Sequence, residues 1–273
     1  MTAAPQVGPL AGWRVVVTRS AGQADSLGDL LRAHGAAPVV YPTIAYAPPA
    51  DTSAFDAALA RLVAGEFDWL VLTSATAARA VYDRLAALEH IDAYSMPIIN
   101  IAAVGASTAA LCTELLGTAP AIVPDTFVAE ALAAALSDQI AGQRMLLANA
   151  DIARPVLQTQ LEAAGAVVER VIAYHTVPAT GGADVPRLLL DGQLDALTFT
   201  SGSTVRYFVK RIEREQADPA PVLAAARRRV IACIGPQTAE AAEAFGLVPA
   251  VVAAPSTVEG LVAGLAHYAA QRR

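Results

Sequence analysis

One local pattern occurs twice in this sequence and limits the folds that the chain can adopt. In each copy an apolar run ends at a glycine, and a helix-favouring segment with a threonine in its first turn follows at once. The copies are residues 101–109 (IAAVGASTA) and 230–239 (VIACIGPQTA). The apolar run predicts a strand, and Pro236 suits the first position of a helix. Each copy therefore predicts a strand that leads directly into a helix N-terminus, where unpaired backbone amides attract anions.

Strand and helix patterns alternate along the rest of the chain. Residues 13–19 (WRVVVTR) predict a strand, and leucines on one face predict a following helix that ends at Gly35. Later elements include a strand over 121–123 and helices over 128–140 and 154–164. This alternation is typical of an α/β fold, in which parallel sheets are flanked by helices on both faces.

The two halves of the chain resemble each other. The shift that lays residue 14 on residue 144 also lays Leu27 on Leu157 and Gly35 on Gly165. Because a repeat of this length spans a whole domain, we expect two duplicated lobes, each a flavodoxin-like parallel sheet with its helices.

The duplicated lobes are not expected to be simply in tandem. Lobe one is discontinuous, formed by residues 10–36 and 179–273, and lobe two is 49–165. The segments 37–48 and 166–178 are expected to be extended connectors. They would run side by side in opposite directions and form a two-stranded hinge.

The composition excludes several classes of protein. At 273 residues the chain is long enough for two cores, and charged residues interrupt every long apolar run, so we expect no transmembrane span. The N-terminal residues show no basic-then-apolar leader, and we expect a cytoplasmic protein. A net charge of −6 leaves no broad basic face for nucleic acid. Cys112 and Cys233 stand alone in apolar patterns and are expected to be structural thiols.

Ligands of open parallel sheets bind outside the carboxyl ends of the strands. Hydroxyl residues, one arginine and glycine amides collect there. The candidate substrate-binding residues are Thr18, Arg19, Ser74, Gly105, Ser107, Thr108, Ser201, Gly202, Ser203, Gly235 and Thr238. Each serine or threonine could instead be a helix cap, and Arg19 could instead pair with a surface carboxylate. No nucleotide-binding glycine motif, catalytic triad or metal-ligand spacing is visible, so no cofactor or metal is expected. These residues predict a two-lobed cleft for a large ligand with several negative groups, and they leave that ligand unnamed.

Six short motifs then occur in an order that resembles one family. They are VTR (17–19), TS-x-x-A-x-x-x-V (73–81), VG-x-x-TA (104–109), Y-x-TV (174–177), FTS (199–201) and IGP-x-TA (234–239). Together with the duplicated plan, they make residues 12–265 similar to the uroporphyrinogen-III synthases. The resemblance implies that the linear tetrapyrrole hydroxymethylbilane, which carries eight carboxylates, is cyclised through a spiro intermediate. Water is lost, ring D is inverted, and no cofactor is used.

The resemblance also implies roles for individual residues. Tyr174, in the second connector, would be catalytic and lie near the departing hydroxyl; otherwise it would be an aromatic packed on a sheet face. The implied ligand-binding hydroxyls, with the two serines on facing lobes, are Thr108, Thr238, Ser74 and Ser201. Gly202 stands where the family often has a proline, and Asn149 where a glycine is common. Arg154 fits the family's arginine in the helix after that strand.

Two other hypotheses stay open at this point. The first is a non-catalytic two-lobed protein that binds or senses a polycarboxylate metabolite, and the second is a carboxylate-binding domain cut from a larger fusion. We expect no effector segment outside the lobes, which disfavours both, and turnover of hydroxymethylbilane separates them from the synthase. The expected protein is a monomer that binds neither nucleic acid nor membrane and contacts the upstream bilane-forming enzyme only transiently.

Overall fold

The computed structural model describes residues 8–88 and 99–272. Contacts between Cα atoms divide the chain into two compact units. Unit 1 is formed by the described residues up to Ala45 and from Val177 onward, and unit 2 by the described part of Tyr46–Thr176. Among the described residues, no helix is both long enough and apolar enough to cross a membrane.

The secondary structure of the described residues alternates between strands and helices. The strands are β1 Arg14–Val17, β2 Ala37–Val40, β3 Ile44–Ala47, β4 Trp69–Leu72, β5 Asn100–Ala103, β6 Arg144–Ala150, β7 Val167–Pro178, β8 Ala196–Phe199, β9 Val230–Cys233 and β10 Pro249–Val252. The helices are α1 Ala21–Ala33, α2 Ser53–Val63, α3 Ala75–Ala87, α4 Ala106–Leu116, α5 Ala129–Leu136, α6 Val156–Ala163, α7 Val185–Leu190, α8 Gly202–Glu215, α9 Ala220–Arg227, α10 Pro236–Glu243 and α11 Val258–Ala270.

The sheet of unit 1 has the strand order β10-β9-β8-β1-β2, and each neighbouring pair is parallel. Alternate residues of its short apolar strands enter two different cores. Val16, Leu197 and Ile231 belong to one core, whereas Val15 and Ala232 belong to the other. Because both faces of the sheet are buried, its strands have no polar face, as is typical of parallel sheets.

The sheet of unit 2 has the order β3-β7-β6-β4-β5. The pairs β4–β5, β4–β6 and β6–β7 are parallel. Leu70 packs in one core, and its neighbour Trp69 packs with Met145 in another. The predicted α/β class, with parallel sheets flanked by helices, is therefore confirmed.

Both segments expected as connectors are drawn into the sheets. β2 pairs with β1, and β7 pairs with β6 from Val167 to Tyr174. β3 lies beside β7 at the edge of the second sheet. Pro38 is accommodated in β2 because an edge strand has an unpaired side, where a missing amide proton costs no ladder bond. Segments 37–48 and 166–178 thus supply strands of the sheets.

Two shorter elements also differ from expectation. The strand expected over 121–123 is reduced to a single parallel bridge between Ala102 and Ile122, because Pro120 and Pro124 lack amide donors on either side. The helix expected over 128–140 is α5, which tightens to a 3-10 turn at Ser137–Gln139. The helix expected over 154–164 begins at Val156, after Pro155. Of the expected lobes, residues 89–98 and 273 lie outside the described residues.

Among the described residues of unit 1, Arg211 of α8 is a buried cation, with only 5% of its surface exposed. Its guanidinium donates to the carbonyl oxygens of Pro42 and of Gly181, the latter at 2.7 Å, and to Glu215 Oε1 at 2.7 Å. It also lies 3.7 Å from the centroid of the Tyr41 ring. The Tyr41 hydroxyl donates to the other oxygen of Glu215 at 2.7 Å. Burial, followed by this bond to Glu215, raises the pKa of Tyr41 above its ordinary value.

Removal of this cation should strongly destabilise unit 1. Arg211→Ala would leave the buried Pro42 carbonyl and the half-buried Glu215 carboxylate without their donor, so we expect the free energy of unfolding to fall by about 3–5 kcal/mol. Chemical denaturation followed by circular dichroism measures the change. Arg187→Ala is the matched control, since Arg187 also faces an acidic residue four positions on, but it is 78% exposed and 3.6 Å from Asp191. Equal losses of stability in the two variants would contradict a stabilising role for the buried Arg211.

Candidate functional site

Four helices begin immediately after strands at the carboxyl edges of the two sheets. In unit 1, α8 follows β8 and α10 follows β9; in unit 2, α3 follows β4 and α4 follows β5. β8 neighbours β9, and β4 neighbours β5, so the two helix N-termini of each unit lie side by side. Each unit therefore presents a pair of positive helix ends, where backbone amides favour a negative group.

Serines cap the first helix of each pair. Ser74 Oγ accepts the Ala77 N–H at 3.1 Å, and Ser201 Oγ accepts the Thr204 N–H at 3.2 Å. The Thr204 hydroxyl oxygen accepts the Ser201 N–H at 3.3 Å, which completes a capping box. The helix-cap interpretation of both serines is therefore confirmed. Each serine hydroxyl also contacts a second hydroxyl. Ser201 Oγ lies 2.8 Å from Ser203 Oγ, and Ser74 Oγ contacts the Tyr174 hydroxyl.

Glycines cap the second helix of each pair. Gly105 and Gly235 are both extended, with φ of −171° and −179°, and neither provides a side-chain cap. Their smallness matters because of close neighbours. A Cβ at Gly105 would lie 3.1 Å from the Phe127 ring, and one at Gly235 would lie 2.8 Å from Ser256 Oγ. The amides of these first turns therefore receive no hydrogen bond from the capping side chain and can serve an anionic ligand.

The hydroxyl residues in the first turns of α4 and α10 differ in accessibility. Thr108 and Thr238, each three residues after its glycine, are 2% and 5% exposed. Ser107 is exposed. The two threonines thus lie beneath the helix starts, whereas Ser107 faces solvent.

Tyr174 of β7 is 8% exposed. Its hydroxyl lies 3.1 Å from Ser74 Oγ, and either oxygen can donate. Its ring packs edge-on against Tyr46, with 5.2 Å between the centroids. Burial raises the pKa of Tyr174 above its ordinary value, and the hydrogen bond between Tyr174 and Ser74 partly opposes that effect. The phenol is therefore a neutral donor at physiological pH, held against the N-terminus of α3.

The two candidates after β1 behave differently. Thr18 is fully buried, and its hydroxyl donates to the Thr198 carbonyl oxygen at 2.7 Å. That hydroxyl is committed within unit 1 and is not presented to a ligand. Arg19 is half-buried, with Nη1 3.5 Å from Ser26 Oγ, and lies directly after the strand.

Gly202, the departure from the family pattern, occupies the first position of α8. The capping box is intact around it, so the amides there have the directions of a regular helix start. A Cβ on Gly202 would lie 3.2 Å from Ala241 Cβ, which places the start of α8 against the second turn of α10. Pro236 occupies the same position in α10.

The candidates therefore form one group in each unit. In unit 2, Ser74 and Tyr174 are in contact beside the α4 start, which carries Gly105, Ser107 and Thr108. In unit 1, Ser201, Gly202 and Ser203 begin α8 next to the α10 start, which carries Gly235 and Thr238. Within residues 8–88 and 99–272, no cluster of three potential metal ligands occurs. Cys112 and Cys233 are free and buried.

Three residues at the end of β6 or just after it make side-chain contacts that the sequence motifs do not indicate. Asp151 accepts hydrogen bonds from His175 and from the Thr176 N–H, both at 3.0 Å. Asn149, where the family commonly has glycine, is buried and accepts a bond from Arg170 Nε at 3.0 Å. The only sequence signal for Asp151 is its place as an acidic residue just after an apolar strand. Arg154, by contrast, forms an exposed ion pair with Glu130 at 2.9 Å.

Fold and site together define an α/β protein of the open parallel-sheet class, with a buried phenol among anion-favouring helix N-termini. The family model described as uroporphyrinogen-III synthase HemD matches residues 25–263. A uroporphyrinogen-III synthase of Synechococcus elongatus is 35% identical over 96% of this chain and 98% of its own length. The chain belongs to the uroporphyrinogen-III synthase family.

Solved structures agree on the fold. A mutant uroporphyrinogen III synthase from the extremely thermophilic bacterium Thermus thermophilus is similar with a TM-score of 0.62 at 20% identity, covering 96% of this chain and 100% of that one. A uroporphyrinogen-III synthetase from Helicobacter pylori gives a TM-score of 0.57 at 14% identity, covering 96% and 99%. At such low identity these structures support the fold alone.

The contact between Ser74 and Tyr174 can be tested by titration. Because the Ser74 hydroxyl lowers the pKa of Tyr174, Ser74→Ala should raise that pKa further. The variant should also lose about 1 kcal/mol of stability with its cap. Carbon-13 NMR of tyrosine labelled at Cζ follows the titration. Ser107→Ala, an exposed serine at another helix start, should leave the Tyr174 pKa unchanged; a lowered or constant pKa in Ser74→Ala would contradict the contact.

Proposed function

We propose that the chain is a synthase that converts hydroxymethylbilane into uroporphyrinogen III, with Tyr174 as the catalytic residue. The observation that carries this proposal is a neutral phenol, buried and hydrogen-bonded to the cap of a helix N-terminus. Departure of the bilane's hydroxyl needs a proton donor, and a phenol that stays protonated at neutral pH can supply it. Family membership favours this activity over a non-catalytic protein that binds polycarboxylates.

The overall reaction neither consumes nor releases a proton, so it suits a catalytic group that donates a proton and later accepts one. The hydroxyl takes up a proton and leaves as water, and the substituted carbon of ring D attacks the resulting azafulvene to form the spiro intermediate. The original bond from ring D to the methylene of ring C then breaks, and that methylene bonds to the free α-carbon of ring D, which closes the macrocycle with the ring inverted. When the last pyrrole is re-formed, it releases a proton, so the overall reaction consumes none. Since the azafulvene can also close in solution without inversion, orientation of ring D is the larger task of the enzyme.

The same proposal assigns the carboxylates of the bilane to the helix N-termini. Gly105 and Gly235 leave amides at the starts of α4 and α10, and Ser74 and Ser201 add hydroxyls at α3 and α8. A carboxylate at such an end gains from both the amides and the helix dipole. Arg19 adds a positive charge at the edge of the sheet of unit 1. Each of these groups contributes one interaction to a shared set.

We also propose that the two units are duplicates, which would explain why they carry equivalent sites. In support, β9-β8-β1-β2 of one sheet corresponds in order to β5-β4-β6-β7 of the other. The bridge at Ile122, beside β5, then stands where β10 stands beside β9. The caps correspond as well, with a serine on the first helix and a glycine on the second.

Tyr174→Phe should slow the reaction without changing its product. We expect a fall in kcat of about tenfold to a hundredfold, at or below the lower limit for a positioned proton donor, while the product remains isomer III. Chromatography of the oxidised product, with the uncatalysed background subtracted, gives both rate and isomer ratio. Tyr268→Phe, in α11 of unit 1, is the control. An unchanged rate would exclude Tyr174 as the donor, and enzyme-dependent release of isomer I would show that it orients the ring instead.

Arg19→Ala should weaken binding more than turnover. A hydrogen bond to a charged group contributes about 1.5–3 kcal/mol, so we expect product affinity to fall at least about tenfold. The affinity of the wild type should also fall with added salt, because exposed charges are screened. Calorimetric titration with uroporphyrinogen III under anaerobic conditions measures both effects. Arg32→Ala is the control, since Arg32 lies on the exposed side of α1 and pairs with Asp29; equal affinities for the Arg19 variant and the wild type would remove Arg19 from the site.

A further inference from the structure

Tyr174 reaches the interior only because β7 contains an irregularity. The parallel register of β6 and β7 is regular up to the pair Asn149–Ile172, and the next pair is Ala150–Tyr174. Ala173 is therefore an extra residue, which defines a β-bulge. Side chains of a regular strand alternate between its faces, but here Ile172 is 41% exposed whereas Ala173 and Tyr174 are 1% and 8% exposed. The bulge thus turns Tyr174 away from the solvent side that Ile172 occupies.

Asp151, in the turn after β6, is bonded to each of the three residues that follow the bulge. Its N–H donates to the Tyr174 carbonyl oxygen at 3.1 Å. Its carboxylate accepts the Thr176 N–H at 3.0 Å through one oxygen and lies 3.0 Å from His175 Nδ1 through the other. These bonds tie the segment that follows the bulge to the turn after β6.

The carboxylate is suited to this task. The Asp151 side chain is 24% exposed. Burial acts to raise its pKa, but the hydrogen bonds from the Thr176 N–H and His175 outweigh burial and hold the pKa below its ordinary value. Asp151 is therefore ionised at neutral pH, and a charged acceptor makes stronger bonds to backbone amides than a neutral one.

We propose that Asp151 is a positioning residue for the synthase reaction, which holds the bulge of β7 and thereby aims the Tyr174 hydroxyl at Ser74. This inference rests on the proposed role of Tyr174 in catalysis. Ser74 is fixed independently by its capping bond in α3, so a shift of β7 changes the distance between the two hydroxyls. A displacement of about 1 Å in a catalytic group can lower a rate by as much as about a hundredfold.

A purely structural aspartate in the same unit provides the comparison. Asp68 Oδ2 accepts the Arg144 N–H at 2.7 Å, at the start of β6 and therefore at the opposite end of the strand from Asp151. Both residues join a carboxylate to a backbone amide beside the same strand. If Asp151 has only a structural role, alanine substitution at either position should have the same effect on the reaction.

The test compares steady-state kinetics of the full chain in four single variants and one double variant. Asp151→Ala should lower kcat by about tenfold, with KM within about threefold of the wild type, because the donor is misplaced while the binding groups remain. Asp151→Asn should keep most of the activity, since its amide oxygen still accepts from Thr176. Asp68→Ala should leave kcat within about twofold. In Tyr174→Phe, the added Asp151→Ala change should lower kcat less than about twofold further, as expected when one residue acts through the other.

A second measurement separates this proposal from the role of Tyr174. Amide hydrogen exchange of Thr176 should be faster in Asp151→Ala than in Asp68→Ala, and the Tyr174 Cζ resonance should shift in the former alone. If these signals are the same in both variants, or if Asp151→Ala lowers kcat equally with and without the Tyr174 hydroxyl, the positioning role is wrong. If Tyr174→Phe itself has the kcat of the wild type, the catalytic assignment fails. Asp151 would then position no catalytic group, although the exchange data could still show that it holds the bulge.

Discussion

Parallel pairing of neighbouring strands is the constraint on which the rest of this structure depends. Every pair in the sheet of unit 1 is parallel, as are the pairs β4–β5, β4–β6 and β6–β7 of unit 2. Parallel neighbours must be joined by crossovers, and here the crossovers are helices that start where the strands end. Adjacent strands therefore deliver adjacent helix N-termini to one edge. The amides and caps of the candidate site are a direct consequence of this topology, since they lie at strand ends, whereas Tyr174 lies within β7 beside Ala150 at the end of β6.

This arrangement explains how an acidic protein can favour an anionic ligand. The chain carries a net charge of −6, but exposed charges separated by more than about 8 Å are largely screened at physiological salt. What a carboxylate experiences is the local field of the helix ends and of any nearby cation. Gly105 and Gly235 contribute by having no side chain, because the space that a Cβ would need is taken by Phe127 and by Ser256. The site therefore depends on close packing as much as on polar groups.

The sequence predicted those features whose signal is local. The strand-to-helix corners, the serine caps and the α/β class follow from periodicity and from residues that prefer helix starts. Other features could not be predicted because they depend on distant partners. Thr18 has the same local pattern as a ligand-binding hydroxyl, yet its bond to the Thr198 carbonyl joins strands that are far apart in the chain. In the sequence, Arg211 is one of several charged residues in the segment that forms α8, and only packing shows that it is buried against Tyr41, Pro42 and Gly181.

The sequence by itself determined the class of fold, the positions of the helix N-termini and, through its ordered motifs, the family. These properties depend on the order of apolar and capping residues, which a linear pattern records directly. Only the tertiary structure decided which side chains face the site. The clearest case is Tyr174, because strict alternation along β7 would place it on the same side as the exposed Ile172. The bulge at Ala173 reverses that direction. A bulge is set by pairing with β6 and by the bonds to Asp151, and neither is visible in the residues of β7 alone.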